Sequence, residues 1–276
     1  MAKIISGIGA SHSPSIAFAY DQHQEDSTAW KPFFQAAEEL RASIAADPPD
    51  VLIFLYNDHF WQFNLDFVPT FAIGVGEEFP LAPERELARP LPGAKGDPRL
   101  AWHLTRSLVA EEFDLTVCRH LMLDHGFFSV MPLICDPPWP MRVVPIAVNV
   151  IQHPLPTPVR CWKLGQAIAR AVANYDEPLK VSVVATGGLS HQLHGPNFGY
   201  TNPAWDQRFL DLLTESPESL LELSHEDYMQ LGGAESVEMI VWLAMRGALR
   251  TPRLEQRFHH AGALTGLGLL HLQEEA

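Results

Sequence analysis

The sequence predicts an α/β fold of the α/β sandwich type, in which a central, largely parallel or mixed sheet is flanked by helices. Short apolar runs alternate with longer stretches of helical periodicity along most of the 276 residues. The runs over 51–56 and 181–185 are continuously apolar, as in strands that are covered on both faces. The alternation shows no internal repeat, so we expect one domain over residues 1–276.

Each predicted strand is a short apolar run that stops at a turn or at a polar residue. The first run ends before Ser11, and the second ends at Asn57. A Pro-rich stretch over 80–98 has no periodicity and is interpreted as a loop. In chain order, the predicted strands cover residues 4–9, 51–56, 67–75, 115–118, 143–148 and 181–185.

The predicted helices follow from apolar spacing and from start signals. Apolar residues recur at helical spacing over 33–44, and the segment Asp47-Pro48-Pro49-Asp50 ends that helix. Helices are also predicted over 159–174 and 237–249, the latter apolar apart from Glu238 at its start and Arg246 near its end. Because proline fits the first turn of a helix, a polar residue followed by proline indicates a helix start. Such pairs stand at Asp97-Pro98, Asn202-Pro203 and Ser216-Pro217.

Charge and cysteine content limit the classes of partner and compartment. Nineteen basic and 33 acidic side chains give a formal net charge of −14, which repels phosphate backbones and anionic lipids. We therefore expect neither nucleic acid nor a membrane as a partner. The three cysteines form no CxxC pair, which indicates a reducing compartment. Ser6, Ser11 and Pro14 interrupt the apolar N-terminus where a secretory signal is continuous, so a cytoplasmic protein is expected.

Histidines follow the ends of three predicted strands. His12 comes after the first strand, His59 after the second, and His191 after the strand over 181–185. Ligands of open α/β sheets gather at the carboxyl ends of the strands, so we expect these loops to be neighbours. Two imidazoles and one carboxylate form the facial triad of non-haem Fe(II) sites. Glu238 is the candidate carboxylate because an unpaired acid is costly to bury in an apolar helix.

These residues also fit other interpretations. His12 and His59 could each be a hydrogen-bonded loop histidine, and Glu238 could pair with Arg246 or face solvent. A zinc-dependent hydrolase would use the same two histidines and the same acid, with His191 as its base. A binding module that holds no metal is the non-enzymatic alternative.

A further pair of histidines lies in glycine-flanked turns. His125 stands in Asp124-His-Gly126, and His191 stands in the segment Gly187–Gly195. A neutral imidazole in such a turn can take up a proton near neutral pH. His194 follows His191 by about one helical turn, so chelation of a metal by these two is a competing hypothesis. No GxGxxG, P-loop, GxSxG or HExxH motif occurs, which disfavours phosphate cofactors and elbow-type serine hydrolases.

Dispersed motifs cover nearly the whole chain in the order found in one enzyme family. They are Gly7-Ile-Gly-Ala-Ser-His12, Tyr56-Asn-Asp-His59, Pro69–Gly74, Ala101-Trp-His103, Asp124-His-Gly126, Pro145–Asn149, Thr186–Gly195 and Glu238–Leu249. On these motifs the sequence resembles the class III extradiol ring-cleaving dioxygenases. The resemblance is strongest to the β (catalytic) subunit of protocatechuate 4,5-dioxygenase and to the gallate dioxygenases.

The resemblance implies the identity and the roles of the site residues. It implies that His12, His59 and Glu238 bind Fe(II), that His191 is the active-site base, and that His125 lines the site. Three protein ligands leave positions on the metal where a catechol and O2 can bind side by side. The implied activity is ring cleavage of a protocatechuate-like diol. Gallate, 3-O-methylgallate and other substituted catechols or aminophenols are the alternative substrates.

Asn57 matches a polar residue beside the metal, although capping of the turn after the strand is an alternative role.

Two features leave the substrate and the partners open. Protocatechuate-cleaving relatives place a Ser-Asn pair, which helps to hold the substrate carboxylate, before a Thr-x-Leu-Gly segment. Here Ala263-Leu264 precedes Thr265–Gly268. Relatives have either a separate small α subunit or a fused C-terminal extension, so a small subunit or a homodimer is expected.

Overall fold

The computed structural model describes residues 1–84 and 90–275. Within these residues a large central sheet is flanked by helices, and a second sheet has two short strands. The strands are β1 (Lys3–Ala10), β2 (Val51–Tyr56), β3 (Phe71–Gly74), β4 (Glu78–Phe79), β5 (Ala94–Lys95), β6 (Thr116–Cys118), β7 (Arg142–Val148), β8 (Lys180–Thr186), β9 (Pro252–Ala261) and β10 (Gly266–Glu274). The helices are α1 (Pro14–Asp21), α2 (Lys31–Ala46), α3 (Pro98–Ala110), α4 (His125–Phe128), α5 (Met131–Ile134), α6 (Pro158–Ala173), α7 (Pro203–Glu215), α8 (Glu218–Leu221), α9 (His225–Gly232) and α10 (Ile240–Gly247), and a 3₁₀-helix spans Ala234–Met239.

The central sheet has eight strands in the order β6-β3-β7-β2-β8-β1-β10-β9. The four strands β7, β2, β8 and β1 are parallel to one another. Antiparallel pairing joins β3 to β7 on one side, and β10 to β1 and β9 to β10 on the other. The predicted fold class is confirmed, because the sheet is mixed with a parallel centre.

Side chains of the parallel strands supply two hydrophobic cores, one on each face of the sheet. Odd-numbered residues of β2 join the core under α3, α6, α7 and α10. Even-numbered residues of β2 join the core against α1 and α2. Every residue of β2 is buried, which agrees with the continuous apolar run in the sequence. The helices thus cover both faces and leave the strand ends to form the site.

Several predicted boundaries hold and others shift. Asp97 caps α3 by accepting a hydrogen bond from the Leu100 N–H (3.0 Å), and Asn202 caps α7 in the same way. The strand predicted over 67–75 is shorter because Phe67 pairs with Asn64 in a turn, so that β3 begins at Phe71. The start predicted at Ser216-Pro217 is one residue too early, because Pro217 is the N-cap of α8 and the helix begins at Glu218.

The carboxyl ends of three central strands lie next to one another. β8 pairs in parallel with β2 on one side and with β1 on the other. The loops that follow Ala10, Tyr56 and Thr186 therefore leave the same edge of the sheet. In the described part of the chain, no helix combines the length and the apolar character needed to cross a bilayer.

Candidate active site

The loops at this edge bring five of the predicted residues to one cavity. His12 follows β1, His59 follows β2, and His191 follows β8. These three side chains line a cavity of about 830 Å³ together with His125 and Glu238. The expectation that distant histidines meet at the carboxyl ends of the strands is confirmed by this arrangement.

The Glu238 carboxylate lies among three of the imidazoles. His12 Nε2 is 3.4 Å from Glu238 Oε2, and His191 Nε2 is 3.8 Å from the same oxygen. His59 Nε2 is 3.8 Å from Glu238 Oε1. The backbone N–H of Gly188 donates to Oε2 at 2.7 Å, which fixes the carboxylate against the loop after β8.

Glu238 reaches the cavity from a 3₁₀-helix and not from the continuous helix predicted over 237–249. The 3₁₀-helix ends at Met239, where α10 begins, and such tight turns are common at helix starts. Arg246, the alternative partner, donates to the backbone carbonyls of Leu213 and Leu249 instead. Glu238 is buried, so the alternative of a solvent-exposed acid is also wrong.

Hydrogen bonds behind the rings orient His12 and His59. His12 Nδ1 is 3.0 Å from the Thr186 hydroxyl at the end of β8. Asp124 Oδ2 accepts from the His59 backbone N–H (2.6 Å) and from His59 Nδ1–H (3.0 Å). Because a carboxylate can only accept, the second bond assigns the proton to Nδ1 and leaves Nε2 toward Glu238.

The other two histidines are held in a similar way by different partners. His191 Nδ1 donates to the Leu189 carbonyl at 2.8 Å, so Nε2 carries the lone pair on the cavity side. His125 Nδ1 donates to Glu84 Oε2 at 2.9 Å. The His125 ring stacks on His59 with a centroid separation of 3.9 Å and an interplanar angle of 30°.

Asn57 contacts two of the predicted metal ligands. Its Nδ2 lies 2.9 Å from His59 Nε2 and donates to Glu238 Oε1 (3.2 Å). Its Oδ1 is buried and has no hydrogen-bond partner among the described residues. The turn after β2 is closed instead by Asp58, which accepts from the backbone N–H groups of residues 62 and 63. The structure therefore favours the position beside the ligands over the turn-capping role.

Burial and neighbouring charges give the two strand-end histidines opposite protonation preferences. Burial lowers the pKa of His12 to about 3, so this ring is neutral at pH 7. Burial also disfavours the charged form of His59, but the Asp124 and Glu238 carboxylates outweigh it and raise the pKa of His59 to about 10. Burial opposes ionisation of Asp124, yet the His59 imidazole lowers its pKa to about 2. Burial also opposes ionisation of Glu238, but the imidazoles of His12, His59 and His191 together outweigh it and hold the pKa of Glu238 well below its usual range.

Two overlapping sets of side chains could hold a metal ion. The predicted set is His12, His59 and Glu238, with the contacts given above. Ring nitrogens of His12, His59 and His125 also lie within 4.8 Å of one another. Both sets share His12 and His59, and imidazole with carboxylate suits divalent iron and zinc. The unpartnered amide oxygen of Asn57 next to these donors is a further sign that the pocket fits a bound cation.

The outer walls of the cavity are mostly apolar. Ala263, Leu264 and Thr265 line it, so the segment that departs from the relatives faces the site. No Lys or Arg belongs to the lining formed by the described residues. His194 lies at the rim, where its side chain is 85% exposed and its Nδ1 is 2.7 Å from Glu235 Oε1. Its contacts do not support the hypothesis that it chelates a metal with His191.

Sequence reasoning missed the acids that support the histidines. Asp124 directly precedes His125, and that adjacency was the available signal for it. Glu84 lies in the Pro-rich loop, where no periodic pattern marks a buried residue. Thr186 stood only within the motif Thr186–Gly195, with no role of its own. Each of these residues is buried behind the cavity and hydrogen-bonded to a histidine.

Comparisons with known proteins identify relatives of the chain. Residues 6–265 match the family model described as the catalytic LigB subunit of aromatic ring-opening dioxygenase. The chain is 46% identical over 197 residues to a gallate dioxygenase of Pseudomonas putida, covering 70% of this chain and 58% of that enzyme. The chain thus spans less than two thirds of that relative. It is 25% identical over 267 residues to a 2,3-dihydroxyphenylpropionate/2,3-dihydroxicinnamic acid 1,2-dioxygenase of Rhodococcus jostii, covering 78% of this chain and 80% of that enzyme.

One solved structure supports the fold. The crystal structure of an uncharacterized protein from Escherichia coli K12 superposes with a TM-score of 0.61 and 15% identity, over 98% of this chain and 100% of that one. At this identity the likeness concerns the architecture alone. The sequence match over residues 6–265, together with the cavity at the strand ends, decides the family. The chain belongs to the LigB family of aromatic ring-opening dioxygenases, the class III extradiol enzymes.

Proposed function

We propose that this chain, as one catalytic domain over residues 1–276, is an Fe(II)-dependent extradiol dioxygenase of a protocatechuate-like catechol. The observation that carries the proposal is the meeting of His12, His59 and Glu238 at a cavity that His191 also lines. Cleavage next to the diol would insert both atoms of O2 into the ring-opened product.

The three proposed ligands fit a ferrous ion by their chemistry. Two imidazoles and one carboxylate form a facial set that leaves other positions open, and the metal would replace the proton that His59 carries at neutral pH. Glu238 is ionised at neutral pH and His12 is neutral, so both are in the form that binds a cation. When bound, Fe(II) supplies the template and the redox chemistry that amino-acid side chains lack.

His191 is the proposed base. Its Nδ1–H donates a hydrogen bond to the Leu189 carbonyl, so Nε2 is the nitrogen that can accept a hydroxyl proton from a diol in the cavity. An antiparallel bridge between His191 and Thr265 and a 2.9 Å hydrogen bond from the Gly266 N–H to the Ser190 carbonyl hold the loop in place. These contacts keep the base at a defined position beside Glu238.

Asn57 and His125 are the proposed substrate-binding side chains. His125 lines the same cavity and is stacked on His59, so it can orient an oxygen of the reacting pair, and its Nε2 can accept a hydrogen bond from a diol hydroxyl. Asn57 lies between two ligands, where its amide can hydrogen-bond an oxygen close to the metal.

The finer assignments of substrate, partner and compartment are supported indirectly. Gallate is the substrate in the name of one relative, and dihydroxyphenylpropionate and dihydroxicinnamic acid are those of another. We infer that an aromatic diol and O2 are the small-molecule partners. We further propose a small α subunit or a second copy of the chain as the protein partner. The three free cysteines fit the expected cytoplasmic location.

Anaerobic reconstitution with Fe(II) followed by oxygen uptake tests the activity. Protocatechuate, gallate and 3-O-methylgallate are the diols to try first, and we expect stoichiometric oxygen consumption with at least one. The variant His191→Phe should lose turnover while it retains its iron, because His191 is a base and not a ligand. Loss of iron in that variant would instead make His191 a ligand.

Metal and oxygen dependence separate the alternative activities. A zinc-dependent hydrolase would act without O2 and would be restored by Zn²⁺. A metal-free binding module would hold no iron when purified without oxygen. Absence of oxygen uptake with every catechol, in protein that has bound iron, would overturn the proposal.

A further inference from the structure

We propose that Glu84 is a positioning residue of this site, which fixes the ring orientation and the tautomer of His125. Its Oε1 accepts from the His125 backbone N–H at 2.8 Å, and its Oε2 accepts from His125 Nδ1–H at 2.9 Å. The two oxygens thus hold the backbone and the ring of the same residue. Because a carboxylate cannot donate, the Nδ1 proton is specified.

The backbone holds Glu84 in place for this role. The Ala82 N–H donates to the Leu123 carbonyl (2.8 Å), and the Leu123 N–H donates to the Pro80 carbonyl (2.9 Å). These paired bonds tie the segment before Glu84 to the segment before His125. Glu84 is buried with 7% exposure, so water competes little for its oxygens. A buried acid without a partner would be costly, and His125 supplies that partner.

The consequence for the site concerns the other ring nitrogen. With Nδ1 committed to Glu84, Nε2 is the nitrogen that His125 can present to the cavity it lines. Stacking on His59 at 3.9 Å fixes the plane of the ring, and the hydrogen bond to Glu84 fixes its rotation in that plane. A carboxylate that sets the tautomer of a functional imidazole is a recurring device in active sites.

A second metal centre is the competing explanation for this group of acids. Glu84, Asp124 and His125 each place a potential ligand atom within 4.8 Å of the others. However, both Glu84 oxygens accept N–H groups of His125. Asp124 accepts from the N–H of Gly126 and from two N–H groups of His59. A cation would have to displace these donors, so the arrangement favours positioning over metal binding.

The tautomer can be read directly in metal-free protein. Histidine side-chain ¹⁵N spectra of protein labelled on histidine distinguish Nδ1–H from Nε2–H, and His125→Gln assigns the His125 signals. We expect the Nδ1–H form in the wild type and loss of that form in Glu84→Gln. Asp206→Asn is a control at another buried, histidine-bound carboxylate, because Asp206 bonds His259 Nε2 at 3.0 Å and also accepts from the N–H and the hydroxyl of Ser190; it should alter the His259 signals and leave the His125 signals unchanged. Unchanged His125 signals in Glu84→Gln would overturn the proposal.

A kinetic double-mutant cycle tests whether Glu84 acts through His125, and this arm rests on the proposed function. We expect Glu84→Gln to lower kcat by about tenfold to a hundredfold, with KM within about twofold and iron content unchanged. In a His125→Gln background, the same change should alter kcat by less than about twofold. Additive losses in the double variant, or loss of bound iron, would refute the positioning role.

One further variant keeps the outcomes distinct. Glu84→Asp retains the carboxylate with a shorter reach, and we expect it to recover part of the turnover and the Nδ1–H signal if Glu84→Gln folds poorly. Recovery of neither by a folded Glu84→Asp would count against the proposal. If wild-type protein cleaves no catechol, the proposed function fails, while the tautomer result still decides the role of Glu84.

Discussion

Replacing Asp124 by Asn tests how the supporting acid contributes to metal binding. Asp124 is fully buried and accepts three hydrogen bonds, two from His59 and one from the Gly126 N–H. In the asparagine variant the oxygen can still accept from Gly126 as an N-cap, but the amide NH₂ then faces the two His59 donors. At least one buried N–H loses its acceptor, which costs about 1–3 kcal/mol of unfolding free energy.

Two effects of this change on metal affinity oppose each other. Loss of the Asp124 charge lowers the pKa of His59, which weakens the competition between a proton and the metal for Nε2. The same lost charge removes about twice as much Coulomb energy from a divalent cation as from a proton, so the net effect is weaker binding. We expect the affinity for Fe(II) to fall by about tenfold to a hundredfold, which is about 1.4–2.7 kcal/mol.

Anaerobic calorimetric titration with Fe(II) at pH 7 measures this change. Asp97→Asn is the matched control, since Asp97 is also a buried N-cap, accepting from Leu100 N–H at 3.0 Å and pairing with Arg142 at 2.9 Å. It should lose stability while it retains wild-type iron affinity. Wild-type affinity in a folded Asp124→Asn variant would refute the reasoning that the acid supports the metal through His59.

Three further predictions concern the ligand carboxylate, the cavity wall and acid stability. Glu238→Gln should weaken Fe(II) binding at least about tenfold by metal analysis, whereas Glu235→Gln at the rim should keep its iron; equal losses would contradict the ligand assignment. Leu264→Asn should raise kcat/KM for protocatechuate about tenfold relative to 4-methylcatechol. The reason is that an amide can hydrogen-bond the substrate carboxylate, and the described residues that line the cavity include no Lys or Arg to do so. An unchanged ratio would contradict this. Burial lowers the pKa of His271 below 6.5, so the unfolded chain takes up the proton first and stability is lost as the pH falls below about 6.5. Urea unfolding at pH 7.5 and 5.5 should show a smaller decrease for His271→Gln than for the wild type, and an equal decrease would exclude this histidine as a cause.

Much of the site was accessible from the sequence because its chemistry follows local signals. His12, His59 and His191 each stand just after an apolar run, and the carboxyl ends of parallel strands share one edge. Glu238 was recognisable because a charge inside an apolar helix requires a partner. The choice between Arg246, solvent and the histidines as that partner required coordinates. The resemblance to a known family supplied the remaining roles, which periodicity alone does not contain.

The supporting residues could not be found in this way. Glu84 and His125 are 41 positions apart, and no short-range pattern connects them. The antiparallel pair β9 and β10 was not predicted. Its inner strand, β10, pairs with β1, and Thr265, the residue just before β10, forms a bridge with His191. Side-chain contacts of this kind arise from the order of strands in the sheet, which depends on packing between distant segments.

The sequence by itself determined where the parallel strands at the centre of the sheet and several of the helices form, and which polar residues stand at strand ends, because apolar periodicity and helix capping act over a few residues. Tertiary structure alone decided that β8 lies between β1 and β2, that the Glu238 carboxylate turns toward the imidazoles, and that Asp124 and Glu84 support two of them. The physical reason is that burial forces each of these polar groups to find a partner, and only the folded chain brings those partners within hydrogen-bonding distance.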